Sequence, residues 1–154
     1  YKKFAGRLHP IPMIAPGVSI FNSHPAGSQL LHTHSHQLMD KPIEEVVQLL
    51  TETYLGALRA FTAQASVHKQ DTINLCAVSA SIYGGSYALR KFSPPHGHID
   101  PLLSILTSCV ALSKALEIEE EKFEGKKVVL HFLGSTLAVR VQAVLSQLLA
   151  LAKA

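Results

Sequence analysis

Between Asp40 and Ala65 the chain places apolar side chains at Ile43, Val47, Leu50, Tyr54, Leu58 and Phe61. These steps of three and four trace one stripe of an α-helix. Glu44, Glu45, Gln48, Glu52 and Arg59 fall on the other side. Asp40 is placed to accept a hydrogen bond from an early backbone N–H, and Pro42 falls in the first turn, where a missing N–H costs nothing. An amphipathic helix of this length must cover another layer, and the remaining pattern supplies it.

From Thr72 to Tyr83 (TINLCAVSASIY) both alternating faces are apolar, with Ile73, Leu75 and Ala77 on one and Cys76, Val78, Ala80 and Ile82 on the other. That is the pattern of a strand covered on two sides. Gly84-Gly85 suits a two-residue turn, and Ser86 to Phe92 then runs back antiparallel, setting Ile82 against Tyr87 and Ala80 against Leu89. After the loop SPPHGHIDP, Asp100-Pro101 opens a helix that carries Leu102, Ile105, Leu106, Cys109, Leu112 and Leu116. The acidic run EIEEE weakens it near Glu117, because negative charge there meets the negative end of the helix dipole, and Gly125 closes it. Lys126 to Leu133 reads as a nearly continuous apolar strand. Gly134-Ser135 then turns into a last helix expected to bury Leu137, Val141, Val144, Leu145, Leu148 and Leu151.

At the other end, residues 1–16 hold three prolines and no regular period, and they read as an extended apolar arm. Gly17 to Asn22 and Ser28 to His34 are strand candidates on either side of a turn built on Pro25 and Gly27. The expected fold is α+β: a small mixed or antiparallel sheet of hairpins plus one crossover strand, with three amphipathic helices packed mainly on one face. Residues 1–16 form the arm and residues 17–154 a single domain.

Composition narrows the function classes. The 154 residues are 47% apolar and 16% charged, well below the roughly 25% charge of a typical soluble domain. Disorder is excluded, and the shortage of polar side chains points to exterior buried against a partner or a second copy. The net charge of +3 is scattered, with no basic run interleaved with aromatics, which argues against nucleic acid. No apolar run approaches the roughly 20 residues of a bilayer span. Cys76 and Cys109 sit in apolar runs as buried thiols do, which suits the cytoplasm or another reducing compartment. The sequence begins at Tyr1 and not at Met, so a trimmed targeting segment is compatible with it.

Histidine is the compositional oddity. Nine are present, five of them in two clusters: His32, His34 and His36 in LHTHSHQ, and His96 and His98 in PPHGHID. Residues two apart on an extended strand share a face, so a His-x-His pair can ligate one cation. His32 and His36 stand roughly 13 Å apart at about 3.3 Å per residue, so a site takes a pair from the first cluster and further ligands elsewhere. His96, His98, Asp40 and Asp100 are the groups available, and imidazole suits zinc, iron, nickel or copper alike. His131, inside an apolar strand, reads as a hydrogen-bonded core residue. Ser79, Ser81 and Ser86 near the Gly-Gly turn, with His98 and Asp100, lack the Gly-x-Ser-x-Gly elbow of a nucleophilic enzyme. The segment LGST at 133–136 could hold an anion but is explained by helix capping.

No catalytic residue and no cofactor is expected from these motifs. The first functional reading is a non-catalytic interaction or assembly subunit in a homo-oligomer or larger complex. The alternative is a metal-binding protein, or a metal-dependent hydrolase or lyase, that uses the two histidine clusters.

Overall fold

A computed structural model describes residues 14–23, 29–36, 38, 41–76, 101–131 and 135–153. In chain order the elements are β1 (Ser19–Ser23), β2 (Gln29–Thr33), α1 (Ile43–His68), β3 (Thr72–Cys76), α2 (Pro101–Ile118), α3 (Glu120–Phe123), β4 (Lys127–His131) and α4 (Ser135–Lys153). The fold is mixed helix and strand. The first pair, β1 with β2, is antiparallel and runs from Ser19 opposite Thr33 to Ser23 opposite Gln29, as the turn at Pro25 and Gly27 predicts.

Two expectations are corrected. Among the described residues the strands form two separate two-stranded sheets rather than one, and β3 pairs with β4 in parallel, from Thr72 opposite Lys127 to Cys76 opposite His131. The helices number four among the described residues, not three, because the acidic run breaks the second expected helix at Glu119 and leaves a separate single turn, α3. The return strand expected at 86–92, its turn and the Asp40 cap lie outside the described residues.

The helix α1 is the organising element. Glu44 and Glu45 in its first turn complement the dipole, and Lys41 pairs with Glu45 at 2.5 Å. Pro42 stands one place earlier than expected, as the extended residue before the first turn. At the other end Lys69 adopts a left-handed conformation (φ 51°) and returns its N–H to the Ala65 carbonyl. Val46, Leu50, Tyr54, Ala57, Leu58, Phe61 and Ala65 are all buried. The arc takes in Val46 and Ala57 and leaves the expected Val47 half-buried, because α1 packs against the β1–β2 hairpin on one side and α2 on another. Val46, Leu50 and Leu58 each contribute about 1.5–3 kcal/mol through burial.

The α1–α2 seam is close because α2 offers Ala111 and Ala115, both fully buried. Across it the Tyr54 hydroxyl donates to Ser108 Oγ at 3.1 Å, and next to it the Phe61 ring of α1 and the Phe123 ring of α3 sit 5.9 Å apart. The hairpin side is closer still. A Cβ added at Gly56 would lie 2.1 Å from the Gly17 carbonyl oxygen, so only glycine lets this backbone pass. Gly125, at φ 71°, ends the helical region before β4 as the sequence predicts. No helix among the described residues is long and apolar enough to cross a membrane.

Candidate functional site

Two places bring chemistry-bearing side chains together. The first follows β2. Backbone pairing extends past the strand, with Gly17 N–H donating to the His34 carbonyl at 2.8 Å and His34 N–H to the Val18 carbonyl at 3.2 Å. His34 is exposed, and its Nδ1 lies 2.7 Å from the Ile14 carbonyl oxygen. A carbonyl only accepts, so Nδ1 carries the proton and Nε2 keeps its lone pair in the neutral ring.

His36 turns the other way, onto α1. Its Nδ1 is 3.3 Å from Thr53 Oγ1, whose single proton is donated to the Leu49 carbonyl at 2.9 Å. Thr53 therefore accepts from His36 Nδ1–H, and Nε2 faces Glu52 Oε2 at 3.6 Å. Glu52 Oε1 in turn accepts from Gln48 at 3.3 Å. Thr53 and Glu52 are the partners that periodicity could not supply: a threonine buried on a helix needs a reason, and holding His36 is one.

His32 is opposite Ile20 in the hairpin ladder. His96, His98, Asp40 and Asp100 lie outside the described residues, as do Ser79, Ser81 and Ser86. Among the described residues no group of three His, Cys, Asp or Glu side chains could hold a metal ion.

The second place is the carboxyl end of the β3–β4 pair. Alternation divides its residues: Ile73, Leu75, Val128 and Leu130 join the core, while Asn74, Cys76, Lys127 and His131 are exposed on the opposite face. Three expectations are corrected here. The first residues of the 72–83 segment are covered on one side, not two. Cys76 is an exposed thiol, not a buried one. His131 is exposed as well, with Nε2 2.9 Å from Asn74 Oδ1, so its hydrogen bond is real but its core position is not. The apolar neighbours that suggested burial, Val128 and Leu130, point to the opposite face. Cys109 is half-buried on α2, and that burial pushes its thiol above the usual range.

The surface also carries apolar side chains. Val139, Leu145 and Leu151 of α4 are 67%, 36% and 73% exposed, which corrects the expected burial of Leu145 and Leu151, and Val110 and Ile118 of α2 are 49% and 59% exposed. Val141 of α4 is held in the interior, at 2% exposure. An open hollow of about 500 Å³ is lined by Leu116, Phe123 and the carboxylates of Glu120, Glu121 and Glu124.

No protein-family model matches the chain, and no curated protein matches it. Among solved structures it is similar to one titled alphavirus P23pro-zbd, at 18% identity and a TM-score of 0.57. The match covers 87% of this chain but only 16% of that one, so the chain corresponds to a small part of a longer protein. At this identity the likeness speaks to the fold.

Proposed function

We propose that this chain is a non-catalytic assembly subunit, and that a second copy covers the outer side of α4. The observation that carries the reading is the exposure of Val139 and Leu151 at 67% and 73% on a helix that contains only two charged residues, Arg140 and Lys153. A two-fold contact sets each residue of a face against that same face, so like charges oppose one another. A helix without acidic residues and with one mid-helix cation meets little such repulsion. The low overall charge, 16%, supports the same reading. It treats residues 17–154 as one domain with helices mainly on one side of its strands, which the open face of Asn74, Cys76 and His131 supports.

Light scattering on the full chain over a range of concentrations tests this. The expected result is a dimer that Val139→Glu with Leu151→Glu converts to a monomer of unchanged thermal stability. A wild-type monomer throughout the range overturns the reading.

A second reading is a metal-binding protein, possible as a hydrolase or lyase only if ligands beyond the first cluster join it. Its support is the orientation of two imidazoles: His34 Nδ1 donates to a carbonyl, the usual outer support of a ligating histidine, and His36 Nε2 stands beside Glu52 Oε2. Further ligands would come from His96 or His98. Elemental analysis of untagged protein decides it: stoichiometric metal lost on His36→Ala supports the reading, and metal-free protein ends it.

A further inference from the structure

The outward face of the β3–β4 pair combines a thiol, an imidazole and an amide in one short register. Cys76 and His131 are direct partners in the parallel ladder, so their Cα atoms stand about 4.8 Å apart and their side chains leave the sheet on the same face. Asn74 is two residues before Cys76 on that face, and its Oδ1 holds the His131 ring at 2.9 Å. The amide oxygen accepts, so Nε2 carries the proton and Nδ1, the ring nitrogen nearer the backbone, has the lone pair in the neutral tautomer. A base oriented by a third group beside a nucleophile is the arrangement by which thiols are activated on unrelated folds. Both Cys76 and His131 are exposed, so a small reagent can reach them.

We infer that Cys76 is a modification site, a thiol assisted by His131 and exchanging with low-molecular-weight disulfides such as glutathione disulfide. The Cys76 S–H proton passes to His131 Nδ1, and the thiolate attacks one sulfur of the incoming disulfide. The disulfide S–S bond breaks as the new bond to Cys76 Sγ forms. The departing thiolate takes the proton from the imidazolium and leaves as a thiol. Cys76 Sγ is oxidised to the disulfide level as the departing sulfur is reduced to a thiol, and the number of S–S bonds is unchanged. Asn74 acts through His131 as a positioning residue. The surface of α4 plays no part, so this inference stands or falls apart from the assembly reading.

Cys109 provides an internal reference on the same chain, since it is half-buried on α2 and has no part in the cluster. The test incubates the full-length chain with glutathione disulfide, quenches with acid, and measures the mixed disulfide at each cysteine by peptide mass spectrometry. Cys76 is expected to react at least about tenfold faster than Cys109, and His131→Ala to slow Cys76 about tenfold with Cys109 unchanged. Added imidazole restores part of the lost rate. Asn74→Ala slows Cys76 less, and Asn74→Asp, which accepts the same N–H, keeps the wild-type rate. If His131→Ala leaves the Cys76 rate unchanged, exposure alone accounts for its reactivity and the inference is overturned. Equal rates at the two cysteines in the wild type overturn it too. A rise in the Cys109 rate marks a loosened fold, and the decision then passes to His131→Gln and to the Asn74 pair.

Discussion

Arg59 Nε meets Glu119 Oε1 at 2.5 Å, joining the exposed side of α1 to the turn that separates α2 from α3. The other carboxylate oxygen accepts from Lys122 Nζ at 2.7 Å. The Glu119 side chain is 3% exposed while its partners are 57% and 62% exposed, so a nearly covered anion is held between two solvated cations. The acidic run that looked like a simple helix stop is thus also the anchor that ties the end of α2 to α1.

The hydrogen bonds from Lys122 first, then Arg59, hold the Glu119 carboxyl below its ordinary range, against the opposing effect of burial. A folded-state value below the unfolded one adds stability above the unfolded value, and that contribution disappears as pH falls through the folded value. Glu119→Gln is expected to cost about 1–2 kcal/mol at neutral pH, because water screens both cations. The difference from wild type should shrink to near zero in acid. Urea titrations across the carboxylate range check this, and a gap that persists at low pH would mean packing, not charge, is responsible.

Gly56→Ala is expected to destabilise the fold although it replaces a mid-helix glycine. Alanine gains roughly 1 kcal/mol of helix propensity. The new methyl, however, would sit 2.1 Å from the Gly17 carbonyl oxygen, a backbone atom that cannot rotate away. Gly17 is itself confined, with φ 79° and His36 Cε1 2.9 Å from any Cβ placed there. Parting the hairpin from α1 should cost about 1–3 kcal/mol net. A variant with a raised denaturation midpoint would contradict the close approach.

These two cases mark how far the residues alone could be read. Periodicity located α1, α2, α4, the β1–β2 hairpin and β4, because each is a local run whose apolar spacing has one sensible period. It missed the parallel pairing of β3 with β4, because that contact joins Asn74 to Val129 across more than fifty residues and leaves no local mark. It misjudged Cys76 and His131 for a related reason. An apolar run does not say which alternate residues face the core when the partner strand is unknown. The His34 and His36 orientations were equally hidden, since Ile14, Thr53 and Glu52 reach them only through tertiary packing.

Tyr54 should separate packing from hydrogen bonding at the α1–α2 seam. Its ring is 1% exposed, and its hydroxyl donates to Ser108 Oγ at 3.1 Å. Tyr54→Phe removes the donor but keeps the ring, and is expected to cost about 0.5–1.5 kcal/mol. Tyr54→Ala opens a cavity between the helices and should cost about 3–5 kcal/mol. Chemical denaturation of both variants checks the ratio. Similar losses for the two would show that the hydroxyl, not the ring, holds the seam.

Lys69 ends α1 in a conformation that suits glycine. At φ 51° its Cβ crowds the neighbouring carbonyl, a cost of roughly 1–2 kcal/mol that glycine does not incur. Lys69→Gly loosens the unfolded chain, which returns about 0.5–1 kcal/mol of the gain. The net expectation is a stabilisation of about 0.5–1 kcal/mol, with the Ala65 carbonyl still receiving the N–H of residue 69. Because Lys69 is an exposed side chain beyond the last turn, no packing is lost to obscure the result. Thermal and urea melts of Lys69→Gly measure the sign directly, and Lys69→Ala, which keeps the Cβ, should show no gain. A stabilisation shared equally by both variants would trace the effect to removal of the lysine charge and leave the left-handed cap without energetic consequence.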